Sequence, residues 1–121
     1  MQMKVLNFHG QINNRQPEED YTLIDLFLQM VGYFPTATVI REGKNSYTYS
    51  DLDKLSSRVC SYIINADLKN QEVIPLSMER SYHYIAAILG IVKSGKAFAP
   101  INPEWPENRK HEILNQLGVN I

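Results

Sequence analysis

At 121 residues the chain has room for one domain with one core. Apolar residues make up 44% and charged residues 21%, the balance of a soluble globular protein, and the net charge of −1 with interspersed signs excludes an electrostatic case for nucleic acid or an anionic membrane. The single cysteine, Cys60, excludes an internal disulfide, and no apolar run approaches membrane-spanning length.

Residues 1–20 read as a lead-in linker. The first ten lack the apolar core of a signal peptide, so the cytoplasm is the expected compartment. Residues 11–20 are polar and without period. A helix is expected from Thr22, with Asp25 as its capping partner. Leu23, Phe27, Met30, Val31 and Phe34 mark its buried face, and Pro35 ends it. A hairpin follows, with strands at residues 38–41 and 46–48 around a four-residue loop, Glu42-Gly-Lys-Asn45.

Ser50 with Asp53 reads as the capping box of a second helix, whose buried face is Leu52, Leu55, Val59 and Ile63. Cys60 lies on this helix, where a small buried hydrophobe is the default role. The helix is expected to fade near Asn65, before the polar residues 67–72. Then comes the most readable stretch. The apolar run from Val73 to Leu76 suits a buried strand, and a strongly apolar helix follows. Ile85, Ile88, Leu89 and Val92 form one face of that helix; Ala86, Ala87 and Ile91 widen it. The chain turns at Gly95, makes a brief strand over residues 97–99, and is closed by Pro100, Pro103 and Pro106. Strand, helix, strand in this order implies a right-handed crossover and a parallel sheet. A last helix is punctuated by Pro106 and Gly118, with a modest apolar side of Ile113, Leu114 and Leu117. Residues 119–121 look like the start of a strand.

The chemistry-bearing residues are sparse. Gly90-Ile-Val-Lys-Ser-Gly-Lys-Ala97 fits the phosphate-loop pattern except at its last position, where alanine replaces the hydroxyl that would reach magnesium. Its context is also inverted. A phosphate loop follows a strand and opens a helix, whereas Gly95 ends a helix and precedes a strand. Gly95 is better read as a helix C-cap. His9, His83 and His111 share no metal-ligand spacing. Tyr82 and Tyr84, which flank His83, have no basic cluster beside them and read as packing residues.

Two segments resemble a known family. Tyr47-Thr-Tyr-Ser-Asp-Leu52 is similar to the first core motif of amino-acid adenylation domains in nonribosomal peptide synthetases. Val92-Lys-Ser-Gly-Lys-Ala-Phe-Ala-Pro-Ile-Asn-Pro103 resembles the second, and Trp105-Pro-Glu-Asn-Arg109 continues it with a Pro-x-x-Arg step. Asp25-Leu-Phe27 before Pro35 resembles the junction after a condensation domain. The likeness runs over about residues 21–118. Two departures stand out: Asn102 replaces the usual Asp, and Lys69-Asn-Gln-Glu72 shortens a loop that normally carries glycine.

The resemblance implies an α/β fold, the partial N-terminal lobe of an adenylate-forming enzyme: a parallel-sheet crossover unit with flanking helices and a short hairpin, over residues 21–121. It also implies a reaction in which ATP and a carboxylic acid give an acyl-adenylate, passed on to a carrier-protein thiol. The family's Ser/Thr/Gly-rich phosphate loop, aromatic-Gly-x-x-Glu stretch, ribose-binding acid and distal lysine have no counterpart among these residues. The six glycines are dispersed at 10, 32, 43, 90, 95 and 118, too far apart for a phosphate cradle. No residue is therefore nominated as catalytic, cofactor-binding or metal-ligating, and no cofactor is expected. The expected role is a truncated, non-catalytic scaffolding or interaction domain. The alternatives are one piece of a split adenylating ligase and a small α/β binding module. Expected partners are the remainder of an adenylation domain or neighbouring synthetase domains, with self-association, and neither nucleic acid nor membrane.

Overall fold

The computed structural model describes residues 2–3 and 22–117. In chain order the elements are β1 (Gln2–Met3), α1 (Leu23–Tyr33), β2 (Thr38–Glu42), β3 (Asn45–Thr48), α2 (Tyr49–Asn65), β4 (Val73–Leu76), α3 (Tyr82–Lys93), β5 (Ala97–Pro100) and α4 (Glu107–Gln116). The first three strands form an antiparallel sheet in sequence order, while β4 and β5 pair in parallel as a separate ribbon joined through α3. This is the α/β arrangement expected, crossover unit and hairpin included. Within the segment read as a lead-in, Gln2 and Met3 pair with Arg41 and Ile40.

α1 begins with the expected reciprocal cap: Thr22 Oγ1 accepts from the Asp25 amide and Asp25 Oδ2 from the Thr22 amide, both at 3.1 Å. Phe27 and Met30 are buried, and Ile24 and Val31 pack against the same core. Leu23 and Phe34, expected on the buried face, are exposed instead at 56% and 36%. They stand in the first turn and at the C-cap, where the core no longer reaches.

The hairpin turns on two residues, not four. Glu42 pairs with Asn45, leaving Gly43-Lys44 as the turn, and Gly43 takes φ +57° in the first central position, where a tight hairpin demands glycine. A register shift between Thr38 and Ile40 marks a bulge, and the consecutive residues Val39 and Ile40 are both buried.

α2 starts two residues earlier than expected. Thr48 is its N-cap, exchanging hydrogen bonds with Asp51 at 2.9 and 3.1 Å. Thr48-x-x-Asp51 and Ser50-x-x-Asp53 carry the same spacing in succession, so local pattern does not choose between them. The core chooses: Tyr49 is buried as the first helical residue and meets Phe27 at 6.3 Å between ring centroids. Leu52 and Ile63 are buried as expected, whereas Leu55, Val59 and Cys60 are half-buried.

α2 and α3 form the principal helix pair. Gly90 lies at their closest approach: a Cβ built there would stand 2.5 Å from Val59 Cβ and 2.7 Å from the Ser56 carbonyl oxygen. That proximity reverses part of the expectation for α3. Its buried residues are Tyr82, Ala86, Ala87, Leu89, Gly90 and Ile91, while Ile85, Ile88 and Val92 are only half-buried. Small residues let the backbones approach, so the small side of the helix is the inner one and the large aliphatic stripe is left less covered. β4 is half-buried along its length, not fully buried, because its ribbon has two strands. The core proper gathers Phe27, Met30, Val39, Ile40, Tyr49, Leu52, Tyr82, Ala86 and Leu89.

α4 follows Pro106, which occupies the N-cap position without a side-chain cap. None of its residues is buried; Ile113 and Leu114, with Leu117 just beyond, are half-buried. Gly118 and the strand expected at residues 119–121 lie outside the described residues.

Candidate functional site

The phosphate-loop lookalike is the first place to look for chemistry, and its groups are already engaged. Gly95, at φ +87°, follows the C-cap Ser94. Its amide donates to the Val92 carbonyl at 3.0 Å, and the Lys96 amide reaches back to Ile91 at 3.3 Å. These two bonds make a Schellman motif, the helix stop expected at Gly95. The Lys96 ammonium donates to the carbonyls of Leu68 and Gln71, each at 2.7 Å, pinning the loop before β4 to the start of β5. A phosphate would find carbonyl oxygens at this helix end and a lysine held by two others.

A second lysine, within the second resembling segment, reaches α2 just past the end of the first. Lys93, whose side chain is 11% exposed, donates to Asp53 Oδ1 at 2.7 Å, to the Asp53 carbonyl at 3.2 Å and to Ser57 Oγ at 3.0 Å. Its ammonium also stands 5.5 Å from the Phe27 ring centroid. Asp53, expected in a capping box, thus cross-links α2 to α3. This pairing was hidden in the sequence because the partners are 40 residues apart.

A concavity of about 420 Å³ lies beside the helix stop at Gly95, lined by Lys69, Glu72, Ser94, Gly95 and Lys96 among others, and two others lie elsewhere. One, of about 460 Å³, opens beside the carboxyl ends of β4 and β5, between Met78, Arg80 and Tyr84 on one side and Asn102 and Trp105 on the other. Asn102, the departure from the family pattern, accepts the Glu104 amide at 2.9 Å through Oδ1, which an aspartate would also do. Trp105 carries Arg109 over its ring at 4.8 Å. The other, of about 440 Å³, lies beside Tyr47 and Tyr82, whose rings stack at 3.7 Å and 4°. Tyr82 donates its hydroxyl to the Asp51 carbonyl at 3.0 Å, and its amide donates to the Glu42 carboxylate. Tyr82 therefore packs between elements, as expected, and His83 sits exposed with its ring edge-on to it at 5.3 Å. His111 is exposed on α4, and His9 lies outside the described residues. Among the described residues no His, Cys, Asp or Glu group is arranged to hold a metal.

This arrangement of elements coincides with a known one. Residues 27–121 match the AMP-binding enzyme family. The chain belongs to that family. It is 32% identical over 105 residues to the nonribosomal peptide synthetase TES of Alternaria alternata, covering 87% of this chain and 2% of that protein. Against the N-terminal subdomain of Klebsiella oxytoca NpsA the TM-score is 0.74 at 23% identity, over 81% of this chain and 26% of that one. An artificial adenylation–PCP fusion, NpsA-ThdA from Klebsiella oxytoca, matches with the same score of 0.74 at 24% identity, over 80% of this chain and 18% of the fusion. The chain corresponds to the N-terminal part of an adenylation domain and spans a small fraction of the relatives it matches. No described helix is long and apolar enough to cross a membrane.

Proposed function

We propose that these residues are a structural layer of an amino-acid-adenylating ligase, contributing no catalytic, nucleotide-binding or metal-binding group, and acting only with the rest of an adenylation domain. One observation carries this reading: Gly95 and Lys96, the glycine–lysine step of the phosphate-loop lookalike, are spent on stopping α3 and holding the loop before β4. The same residues give the second core motif a structural use, and in the first Thr48 and Asp51 cap α2 while Tyr49 is buried. The half-covered stripe Ile85, Ile88 and Val92 and the two-stranded ribbon support a further part of the reading. Both call for more chain, whether the remainder of the domain, a neighbouring carrier or condensation domain, or a second copy.

The test is amino-acid-dependent pyrophosphate exchange. The 121-residue chain alone stays at background across a panel of amino acids; exchange by the pure chain overturns the proposal. The ribbon edges left open among the described residues favour a second reading, a split ligase. Exchange that appears only when a polypeptide carrying the phosphate loop and distal lysine is added in trans would establish it.

A further inference from the structure

We infer that the outer edge of β4 carries a built-in guard against strand addition, formed by Pro75 and the side chain of Gln71. The parallel register fixes which backbone groups face β5. The Ala97 amide donates to the Glu72 carbonyl and the Ile101 amide to the Leu76 carbonyl, both at 2.9 Å, with Val73 opposite Ala97 and Leu76 opposite Pro100. In a parallel pair the N–H and C=O of one residue point to the same side, and the side alternates along the strand. Ile74 and Leu76 therefore turn theirs toward β5, while Val73, Pro75 and Ser77 turn theirs outward. That outward row is the one a further strand would have to join.

Two positions of the row are disabled. Pro75 has no N–H, and its ring stands where the donor would be, in the gap of about 4.8 Å that separates neighbouring strands. The Val73 carbonyl already accepts Gln71 Nε2 at 3.1 Å, so a side chain takes the place of a strand. Gln71 is itself anchored: its carbonyl accepts the Lys96 ammonium at 2.7 Å, and its amide donates to the Leu68 carbonyl at 3.1 Å. The lysine that holds the loop before β4 thus also holds the guard in place. The edge of β5 differs. There Phe98 faces outward with its N–H and carbonyl both unengaged among the described residues, and Pro100 blunts only the last position. Additional chain called for by the ribbon is thereby directed away from β4. The inference does not depend on the ligase reading, and its test involves no adenylation.

The test is amide hydrogen exchange on the full 121-residue chain over a concentration series, read together with light scattering. In the natural sequence the Val73 and Ser77 amides are expected to exchange freely at every concentration, whatever the extent of association. Pro75→Val with Gln71→Ala restores the donor and uncovers the acceptor. That chain should associate at a concentration lower by roughly tenfold, with new protection at Val73, Ser77 and the substituted position 75. Should the double variant melt below the natural chain, Pro75→Val alone is used, with the same protection expected and a smaller gain in association. Protection of Val73 and Ser77 in the natural chain would overturn the inference, as would a variant that shows no new protection along β4.

Discussion

Gly90 sets how closely α2 and α3 approach. An alanine there would raise helix propensity by about 1 kcal/mol. Yet its Cβ would meet Val59 Cβ at 2.5 Å and the Ser56 carbonyl at 2.7 Å, and the carbonyl belongs to backbone that moves little. Overpacking should win: Gly90→Ala is expected to destabilise by roughly 1–3 kcal/mol in urea titration. Truncating Val59 to alanine in the same chain should restore only part of this, since the carbonyl and the alanine Cβ remain. Tyr82 acts at the same scale through its hydroxyl. Burial, then the nearby Asp51 charge and the Tyr47 phenol, raise its pKa above the ordinary 10.0, with Arg58 opposing; burial alone raises Tyr49. For an acid whose folded pKa is raised, the protonated form is favoured by folding. The stability it contributes is complete below pH 10 and is lost as pH climbs through the higher folded value. Stability should accordingly fall above about pH 10. Tyr82→Phe should soften that fall while costing about 1 kcal/mol at neutral pH through the lost bond to Asp51. Denaturant midpoints at neutral and alkaline pH check both signs.

Among the elements, polar side chains cap the start of α2 and tie its first turns to the end of α3. Thr48→Ala is expected to cost about 1 kcal/mol, and Ser50→Ala much less, because the box closes at Thr48 and Asp51. Comparing the two midpoints tests where the helix starts. Lys93→Met keeps the apolar stem but leaves Asp53 without its cation, for an expected loss of about 1.5–3 kcal/mol. In the core-facing side of α3, Leu89→Ala should cost roughly 2–5 kcal/mol, and half-buried Ile88→Ala clearly less. Equal losses at both positions would mean that the aliphatic stripe is covered.

At the scale of the whole molecule, the unfinished surfaces decide behaviour. Among the described residues the β4–β5 ribbon has two outer edges, α4 buries none of its residues, and Leu23, Leu28, Tyr33, Tyr62 and Ile64 stand exposed. Edges and patches of this kind draw other chains. Light scattering at micromolar concentration is expected to show association, relieved when a polypeptide supplying the following part of an adenylation domain is added. A cooperatively melting monomer indifferent to that polypeptide would mean that the chain closes its own edges.

The sequence by itself determined the order of the elements from α1 to α4, the crossover unit, the stop at Gly95 and the family, because these depend on short-range period, on cap and turn chemistry, and on contiguous motifs. The dispersal of the six glycines, never nearer than five positions, was equally legible there. What only the tertiary structure decided were choices between locally equivalent options. Two capping boxes overlap at residues 48–53, and the burial of Tyr49 selects the first. The apolar circumference of α3 is too complete for periodicity to name its inner side; the close approach at Gly90 names it. Asp53 and Lys93 are 40 residues apart, and only packing brings their charges to 2.7 Å. Which face of a helix is left to solvent depends on its neighbours, and neighbours distant in sequence are assigned by the fold.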